Sequence, residues 1–209
     1  MAKIKNIIFD FGGVLLNLDI SRTEKAFVEM GVTDFKTLFA LGHADSFFKL
    51  YETGDIDDDT FVAKMMELTQ NRFDSQTLTS AWNAMLLDFP PERVELLDEL
   101  KKNFRLFLFS NTNAIHYKVF SEAFEEKYGR KMASLFEKAY YSHIIRLRKP
   151  GREGFDYILD DARLIPEETV FIDDALVNLE GAALSGMRTI HLLPGQTILD
   201  LNLTKINEE

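Results

Sequence analysis

The sequence contains no cysteine, and this absence excludes two kinds of stabilising or functional site. Without thiols the chain can form neither a disulfide framework nor a thiolate metal site. A chain without disulfides is suited to a reducing compartment, so we expect a cytoplasmic protein. The first residues, "MAKIKNIIFD", have an apolar run that ends at Asp10, too early for a signal peptide or a membrane span.

Basic residues are scarce relative to acidic ones. Lys and Arg number 24 against 34 Asp and Glu, which gives a formal net charge of −10 over 209 residues. This charge repels phosphate backbones and anionic membrane surfaces over most of the exterior. We therefore expect no nucleic-acid partner and no membrane partner, and the oligomeric state stays open.

Apolar residues are plentiful, and their pattern changes along the chain. They make up 46% of the sequence, enough for one core that carries a smaller insertion. Residues 21–87 have helix signals, with Ser21 and Glu24 spaced as a capping box and apolar residues at helical spacing. From residue 90 onward helices alternate with short apolar strands, "FRLFLFS", "KAYYS", "TVFID" and "RTIHLL".

This alternation predicts a parallel sheet with right-handed crossovers. We predict an α/β fold with a doubly wound, mainly parallel sheet that is interrupted by a helical insertion after the first strand. Residues 1–16 and 90–209 are assigned to the sheet core and residues 17–89 to the helical insertion.

The stretch "NIIFDFGGVLLNLD" places an aspartate and two glycines at the end of a buried strand. Ligands bind beyond the carboxyl ends of strands in open α/β sheets, which makes Asp10 a candidate site residue. An aspartate followed by glycines is also ordinary turn chemistry. These residues alone leave both interpretations open.

Two further segments offer groups that bind anions. Ser110, Asn111 and Thr112 follow the strand "FRLFLFS" and supply a hydroxyl, an amide and backbone N–H groups, although the same residues also suit a helix cap. Lys149 lies in "RLRKP", where its ammonium is suited to a phosphoryl group, or is simply a solvated surface lysine.

A pair of aspartates, Asp173 and Asp174, ends the strand "TVFID". The pair could serve only to enrich a helix N-terminus in negative charge. However, parallel strands bring both residues to the same sheet edge as Asp10, where gathered carboxylates repel one another unless a cation lies between them. Mg²⁺, which prefers oxygen ligands, is the cofactor that this arrangement indicates.

Taken together and in order, "FDFGGVL", "FSNTN", "RKP" and "FIDDALVNLEGA" resemble the four motifs of the haloacid dehalogenase-like hydrolases. The match extends nearly from end to end. The fold that this resemblance implies is a Rossmann-like core, and the helical insertion resembles the cap of the superfamily's subclass I. The motifs look closest to the α-D-glucose-1-phosphate phosphatase-like branch.

The resemblance implies a role for each motif. Asp10 would be the nucleophile that forms an aspartyl phosphate, and the phosphoryl oxygens would be held by Ser110, Asn111 and Lys149. The implied Mg²⁺ ligands are the Asp10 carboxylate, the backbone carbonyl of Gly12, the Asp174 carboxylate and, through a water molecule, Asp173. Asn178 would support this site from behind the ligands.

Two positions depart from the family pattern. Most phosphatases of the superfamily carry a second aspartate, the general acid and base, at the position of Gly12. Three explanations are open: a substrate with a good leaving group such as an anomeric sugar phosphate, a cap residue such as Asp19 or His43 that substitutes, or binding without turnover. Arg146 stands where relatives usually have glycine, which could change how Lys149 is presented.

The implied function is that of a Mg²⁺-dependent phosphatase. Its substrate would be a small phosphorylated metabolite, expected to be a sugar phosphate such as glucose 1-phosphate. The alternatives are a non-catalytic protein of this fold that binds phosphorylated ligands, or a 2-haloacid dehalogenase, which needs no metal and is disfavoured by the aspartate pair. The cap residues that would set specificity are left open among Asp19, His43, Phe47, Phe48, Tyr51 and Trp82.

Overall fold

Five short parallel strands form the centre of the molecule, in the order β3-β2-β1-β4-β5. The computed structural model describes residues 2–35 and 47–208, so His43 lies outside the described residues. The strands are β1 (Asn6–Phe9), β2 (Arg105–Ser110), β3 (Lys138–Tyr141), β4 (Thr169–Asp173) and β5 (Arg188–His191). Because β1 lies between β2 and β4, the chain segments that follow these three strands meet at one edge of the sheet.

The helices described by the structure follow the predicted order. They are α1 (Ile20–Glu29), α2 (Phe47–Glu52), α3 (Asp58–Leu68), α4 (Ser75–Asn83), α5 (Pro91–Leu100), α6 (Ala114–Tyr128), α7 (Ser142–Ile145), α8 (Arg152–Asp161) and α9 (Leu176–Leu184). None of them is long and apolar enough to cross a membrane.

Helices cover both faces of the sheet. Alternate strand residues point to opposite sides: Ile7 and Phe9 join a cluster with α5 and α6, whereas Ile8 joins a cluster with α8 and α9. All of these residues are buried, as expected for parallel strands that are covered on both faces. The predicted doubly wound α/β sheet is therefore confirmed.

The helical insertion has an apolar cluster of its own, separate from the two clusters of the sheet. Phe61 and Trp82 lie at its centre and contact one another, with ring centroids 5.1 Å apart. Phe47, Phe48 and Tyr51 from α2 pack in the same cluster. We will call residues 17–89 the cap, with the bounds assigned from the sequence.

Two backbone segments that lie next to each other join the cap to the sheet. Asn17 donates its backbone N–H to the Asp88 carbonyl at 2.9 Å, and Leu87 donates to the Asn17 carbonyl at 3.1 Å. The Asn17 side chain also donates to Asp88 at 2.9 Å. The entry to the cap and the exit from it therefore lie side by side.

Candidate active site

Asp10 lies where the sequence predicts it, directly after β1. Its backbone N–H donates to the Ile172 carbonyl at 2.9 Å, so the ladder between β1 and β4 continues to this residue. Asp173 ends β4 next to it, and both side chains are buried. The parallel register thus brings together two carboxylates that are 163 positions apart in the chain.

Lys149 connects these two carboxylates. Its ammonium lies 2.6 Å from Asp10 Oδ1 and 2.7 Å from Asp173 Oδ2, and its side chain is 1% exposed. The alternative of a solvated surface lysine is therefore wrong. Because the stem is enclosed by the sheet, the charge is fixed at the strand ends.

Asn111 holds the loop that carries Lys149. Its side-chain amide donates to the Lys149 carbonyl at 2.9 Å, and its Oδ1 accepts the Lys149 backbone N–H at 2.9 Å. The Asn111 side chain thereby fixes both backbone polar groups of Lys149. Ser110, which precedes it, is buried at the end of β2.

Asp173 is surrounded by donors, whereas Asp174 is more open. Besides Lys149, Asp173 accepts from the Ala175 backbone at 2.8 Å and from the Asn178 amide at 3.1 Å to each carboxylate oxygen. Asn178 therefore orients the Asp173 carboxylate. Asp174 lies on the exposed side of the group.

The group of Asp10, Asp173 and Asp174 is suited to a divalent cation. Ligand oxygens from all three lie within 4.8 Å of one another. Burial, with a smaller contribution from Asp173, raises the pKa of Asp10, while Lys149 acts in the opposite direction. Burial and Asp173 likewise raise the pKa of Asp174. One ammonium facing three carboxylates leaves an excess of negative charge, and oxygen donors of this kind fit Mg²⁺.

Gly12 and Gly13 meet different neighbours. A Cβ atom on Gly12 would lie 2.4 Å from Leu18 Cδ1, so a leucine side chain fills the space next to this glycine. A Cβ on Gly13, whose φ is +82°, would lie 2.5 Å from Asp174 Oδ2. The second glycine is thus required for the Asp174 carboxylate to approach the loop.

A small cavity of about 130 Å³ lies between the cap and these strand ends. Ser110, Asn111 and Gly12 form part of its wall, and Trp82 lines it from the cap. Leu18 and Met85 give it an apolar side. The cavity thus reaches from the candidate phosphate-binding residues into the cap.

Asp19, one of the predicted substitutes for an acid at Gly12, has a structural role. Its carboxylate caps α1 by accepting from the Ser21 backbone at 3.1 Å and from the Ser21 hydroxyl at 2.5 Å. These hydrogen bonds lower its pKa. The predicted capping box of Ser21 and Glu24 is accordingly wrong, because the helix begins one residue before Ser21 with Asp19 as its cap.

The sequence interpretation missed two cap contacts near Lys149. Arg148 donates to Glu52 at 2.8 Å across 96 positions of the chain. Arg146 adopts a left-handed conformation with φ of 59° at the end of α7, which is the reason that glycine suits this position. Its guanidinium donates to the Gly54 carbonyl at 3.0 Å, so this departure from the family pattern links the core to the cap.

His116 was also missed, and it connects the cap to α6. It is buried and stacks on Trp82 with ring centroids 4.8 Å apart. Its Nε2 lies 3.1 Å from the Trp82 carbonyl, and its Nδ1 lies 3.2 Å from the Asn113 amide nitrogen. The neutral ring, with Nε2 donating and Nδ1 accepting, satisfies both neighbours.

The fold is thus a doubly wound sheet that gathers three carboxylates and a buried lysine at its strand ends. The family model for haloacid dehalogenase-like hydrolases matches residues 4–186, and the chain belongs to this family. The predictions of this superfamily and of an enzyme of the hydrolase class are confirmed.

Relatives with known names or structures cover most of the chain. D-ribitol-5-phosphate phosphatase from Bacteroides thetaiotaomicron is 30% identical over 179 residues, 84% of this chain and 85% of that protein. A haloacid dehalogenase family enzyme from the same organism, solved as an aspartate-to-alanine mutant with magnesium and inorganic phosphate, is 32% identical with a TM-score of 0.88, covering 95% of this chain and 98% of that one. A hydrolase of this family from Porphyromonas gingivalis is 28% identical with a TM-score of 0.89, covering 100% of both chains.

Proposed function

We propose that the protein is a Mg²⁺-dependent phosphatase that hydrolyses a small phosphomonoester through an aspartyl-phosphate intermediate on Asp10. The observation that carries this proposal is the buried ammonium of Lys149, 2.6 Å from Asp10 and 2.7 Å from Asp173, beside a third carboxylate. The similarity to a D-ribitol-5-phosphate phosphatase supports a phosphorylated sugar or polyol as the substrate class.

The proposed chemistry begins with the Asp10 carboxylate attacking phosphorus. Lys149 and the Ser110 hydroxyl hold the phosphoryl oxygens, together with the backbone N–H of Asn111. The Asn111 side chain acts indirectly, because it fixes both backbone polar groups of Lys149. Most of the rate enhancement would then come from positioning and neutralisation of charge.

Asp10, Asp174 and the Gly12 carbonyl are the residues that would hold Mg²⁺, with Asp173 acting through a water molecule. When bound, the ion neutralises charge on the transferred phosphoryl group. Asp173 has a second duty toward Lys149 and accepts three further hydrogen bonds from Ala175 and Asn178. Its carboxylate therefore orients the lysine that faces Asp10.

Phosphate release by the wild type and Asp10→Asn tests the proposal. The panel is D-ribitol 5-phosphate, glucose 1-phosphate and 4-nitrophenyl phosphate, each with Mg²⁺ or with a chelator. We expect release that requires both Mg²⁺ and Asp10, with a loss of at least about 10³-fold in Asp10→Asn, because the variant has no nucleophile. Asp156→Asn, an exposed aspartate paired with Arg152, is the matched control and retains wild-type activity.

The remaining outcomes separate the alternatives. Binding of inorganic phosphate without cleavage of the aryl ester would favour the non-catalytic protein of the same fold. Halide release from a 2-haloacid in the presence of chelator would favour a dehalogenase. Preference for glucose 1-phosphate over D-ribitol 5-phosphate would support the anomeric sugar phosphate expected from the sequence.

A further inference from the structure

Two residues after the nucleophile, at position 12, the sheet core supplies no acidic side chain. Gly12 has no side chain, and Leu18 fills the space in which a Cβ atom would lie. An alkyl phosphate such as a polyol phosphate leaves as a strongly basic alkoxide, which needs a proton as the bond to phosphorus breaks. A general acid in this position contributes about 10² to 10⁴ in rate. For such a substrate the acid must come from elsewhere.

The cavity between cap and core limits the choice. Among the described residues that line it, the titratable side chains are Glu52 and His116. Both ring nitrogens of His116 are occupied, one by the Trp82 carbonyl and one by the Asn113 amide. Asp19 does not line this cavity and is occupied as the cap of α1. Glu52 remains.

Glu52 is held in a defined orientation at the end of α2. Arg148, the neighbour of Lys149, donates to Glu52 Oε2 at 2.8 Å. Among residues 2–35 and 47–208, no hydrogen-bond partner is found for Oε1. The turn after Glu52 packs closely on the core, since a Cβ on Gly54 would lie 2.3 Å from the His143 carbonyl oxygen. One carboxylate oxygen is therefore anchored by Arg148, and the residue lines the cavity.

On the basis of the proposed function, we propose that Glu52 of the cap is the general acid and base that the core lacks at Gly12. The geometry that carries this assignment is the cavity shared by Glu52, Gly12 and Ser110, together with the single-sided anchoring of Glu52 by Arg148. The cap then contributes a reacting group as well as a cover for the site.

The proposed proton transfers balance in two steps. In the first, an Asp10 oxygen forms a bond to phosphorus while the bond from phosphorus to the alcohol oxygen breaks, and protonated Glu52 gives its proton to that oxygen. In the second, the Glu52 carboxylate takes a proton from water as the water oxygen attacks phosphorus. The aspartyl bond breaks, which releases phosphate and restores both carboxyl groups to their initial states.

The charges around Glu52 are compatible with this cycle. Burial raises its pKa, which favours the protonated form that the first step requires. Arg148 acts in the opposite direction, as do Lys149 and Lys49. Burial therefore favours the protonated form of Glu52, and the neighbouring cations favour the ionised form.

The assignment is tested by comparing how well Glu52→Gln cleaves two aryl phosphates with different leaving groups. 4-Nitrophenolate leaves without a proton, whereas the more basic phenolate of phenyl phosphate leaves faster when an acid protonates it. The glutamine can still accept from Arg148. We expect kcat/KM, which reports formation of the aspartyl phosphate and not its hydrolysis, to fall about 10²-fold or more for phenyl phosphate and less than about 5-fold for 4-nitrophenyl phosphate. Glu52→Asp, which keeps a carboxyl group, should restore part of the loss.

Asp55→Asn is the matched control. Asp55 is an exposed carboxylate of the same turn that faces Arg146, and its replacement should leave the ratio of the two kcat/KM values unchanged. An equal loss of kcat/KM on both esters in Glu52→Gln, or no loss on either, would overturn the assignment. The proposed function is tested separately, because it requires only that the wild type cleaves 4-nitrophenyl phosphate and that Asp10→Asn does not.

Discussion

Gly13 and Gly129 have left-handed backbones of similar φ, +82° and +65°, but different surroundings. A Cβ on Gly13 would meet the Asp174 carboxylate, whereas a Cβ on Gly129 would meet no atom within 4 Å. The first glycine allows a ligand oxygen to approach the backbone, and the second only ends α6. An alanine at Gly129 would therefore introduce backbone strain alone, whereas an alanine at Gly13 would introduce backbone strain and also displace the Asp174 carboxylate.

We expect Gly13→Ala to lose most Mg²⁺-dependent phosphate release, and to need at least about 10-fold more Mg²⁺ for half-maximal rate, because its methyl group displaces Asp174. Gly129→Ala should keep wild-type rate and Mg²⁺ dependence while losing about 1 kcal/mol of stability. Titration of the rate with Mg²⁺ and urea unfolding measure the two effects. An unchanged Mg²⁺ requirement in Gly13→Ala would contradict this account of the site.

At the scale of elements, the sequence predicts best where local chemistry decides. One of the helices expected after residue 90, α6, occupies Ala114–Tyr128, since Asn113 caps its start and Gly129 ends it. Strand β4 matches "TVFID" because a buried apolar run ends there in a carboxylate. Local signals also predicted which residues gather at the strand ends, because parallel strands place their carboxyl ends together.

The rest of the site depends on contacts that no local pattern contains. The hydrogen bonds from Asn111 to Lys149 span 38 positions, and the pair of Arg148 with Glu52 spans 96. Glu52 had one local signal, Gly54 two residues later, which indicates a tight turn but not its partner. His116 is similar, since its contact with Trp82 forms only when α6 packs against α4.

The contact between α4 and α6 predicts a dependence of stability on pH. Burial lowers the pKa of His116 to about 4, below its ordinary 6.5. Between these values the unfolded chain takes up a proton that the folded protein does not. The neutral His116 therefore makes its full contribution to the free energy of unfolding above pH 6.5. This contribution is lost as the pH falls toward 4, by about 3 kcal/mol at most.

Urea unfolding across this pH range, in the wild type and in His116→Gln, measures the effect. The variant should be less stable at pH 7.5, because its side chain cannot satisfy both neighbours. Its stability should then fall less steeply than that of the wild type between pH 6.5 and 4. Parallel curves for the two proteins would show that His116 is not the titrating group.

At the scale of the whole molecule, the carboxylate group links metal binding to the stability of the fold. Asp10 and Asp173 end neighbouring central strands, and Asp174 begins the segment after β4. The folded chain gathers these charges and the unfolded chain does not. A cation bound at this site therefore stabilises the folded protein by mass action.

We expect Mg²⁺ at 100 times its dissociation constant to add about 2.7 kcal/mol to the free energy of unfolding. Asp174→Asn should lose most of this gain and should be at least as stable as the wild type without Mg²⁺, because one repelling charge is removed. Thermal unfolding with Mg²⁺ and with chelator measures both. An equal gain in the variant would place the cation elsewhere.

The side-by-side linkers of the cap also have a consequence for how this protein can diversify. Asn17 and Asp88 are in hydrogen-bond contact, so the two ends of the cap are already joined where they leave the sheet. The geometry of the sheet therefore does not depend on how many residues lie between them. The entropic cost of closing a loop grows slowly with its length. Whole caps can therefore be lengthened, shortened or exchanged at this junction while the reacting residues of the sheet stay in register. Exchange of the cap at this junction is therefore a route by which evolution or engineering can change the substrate.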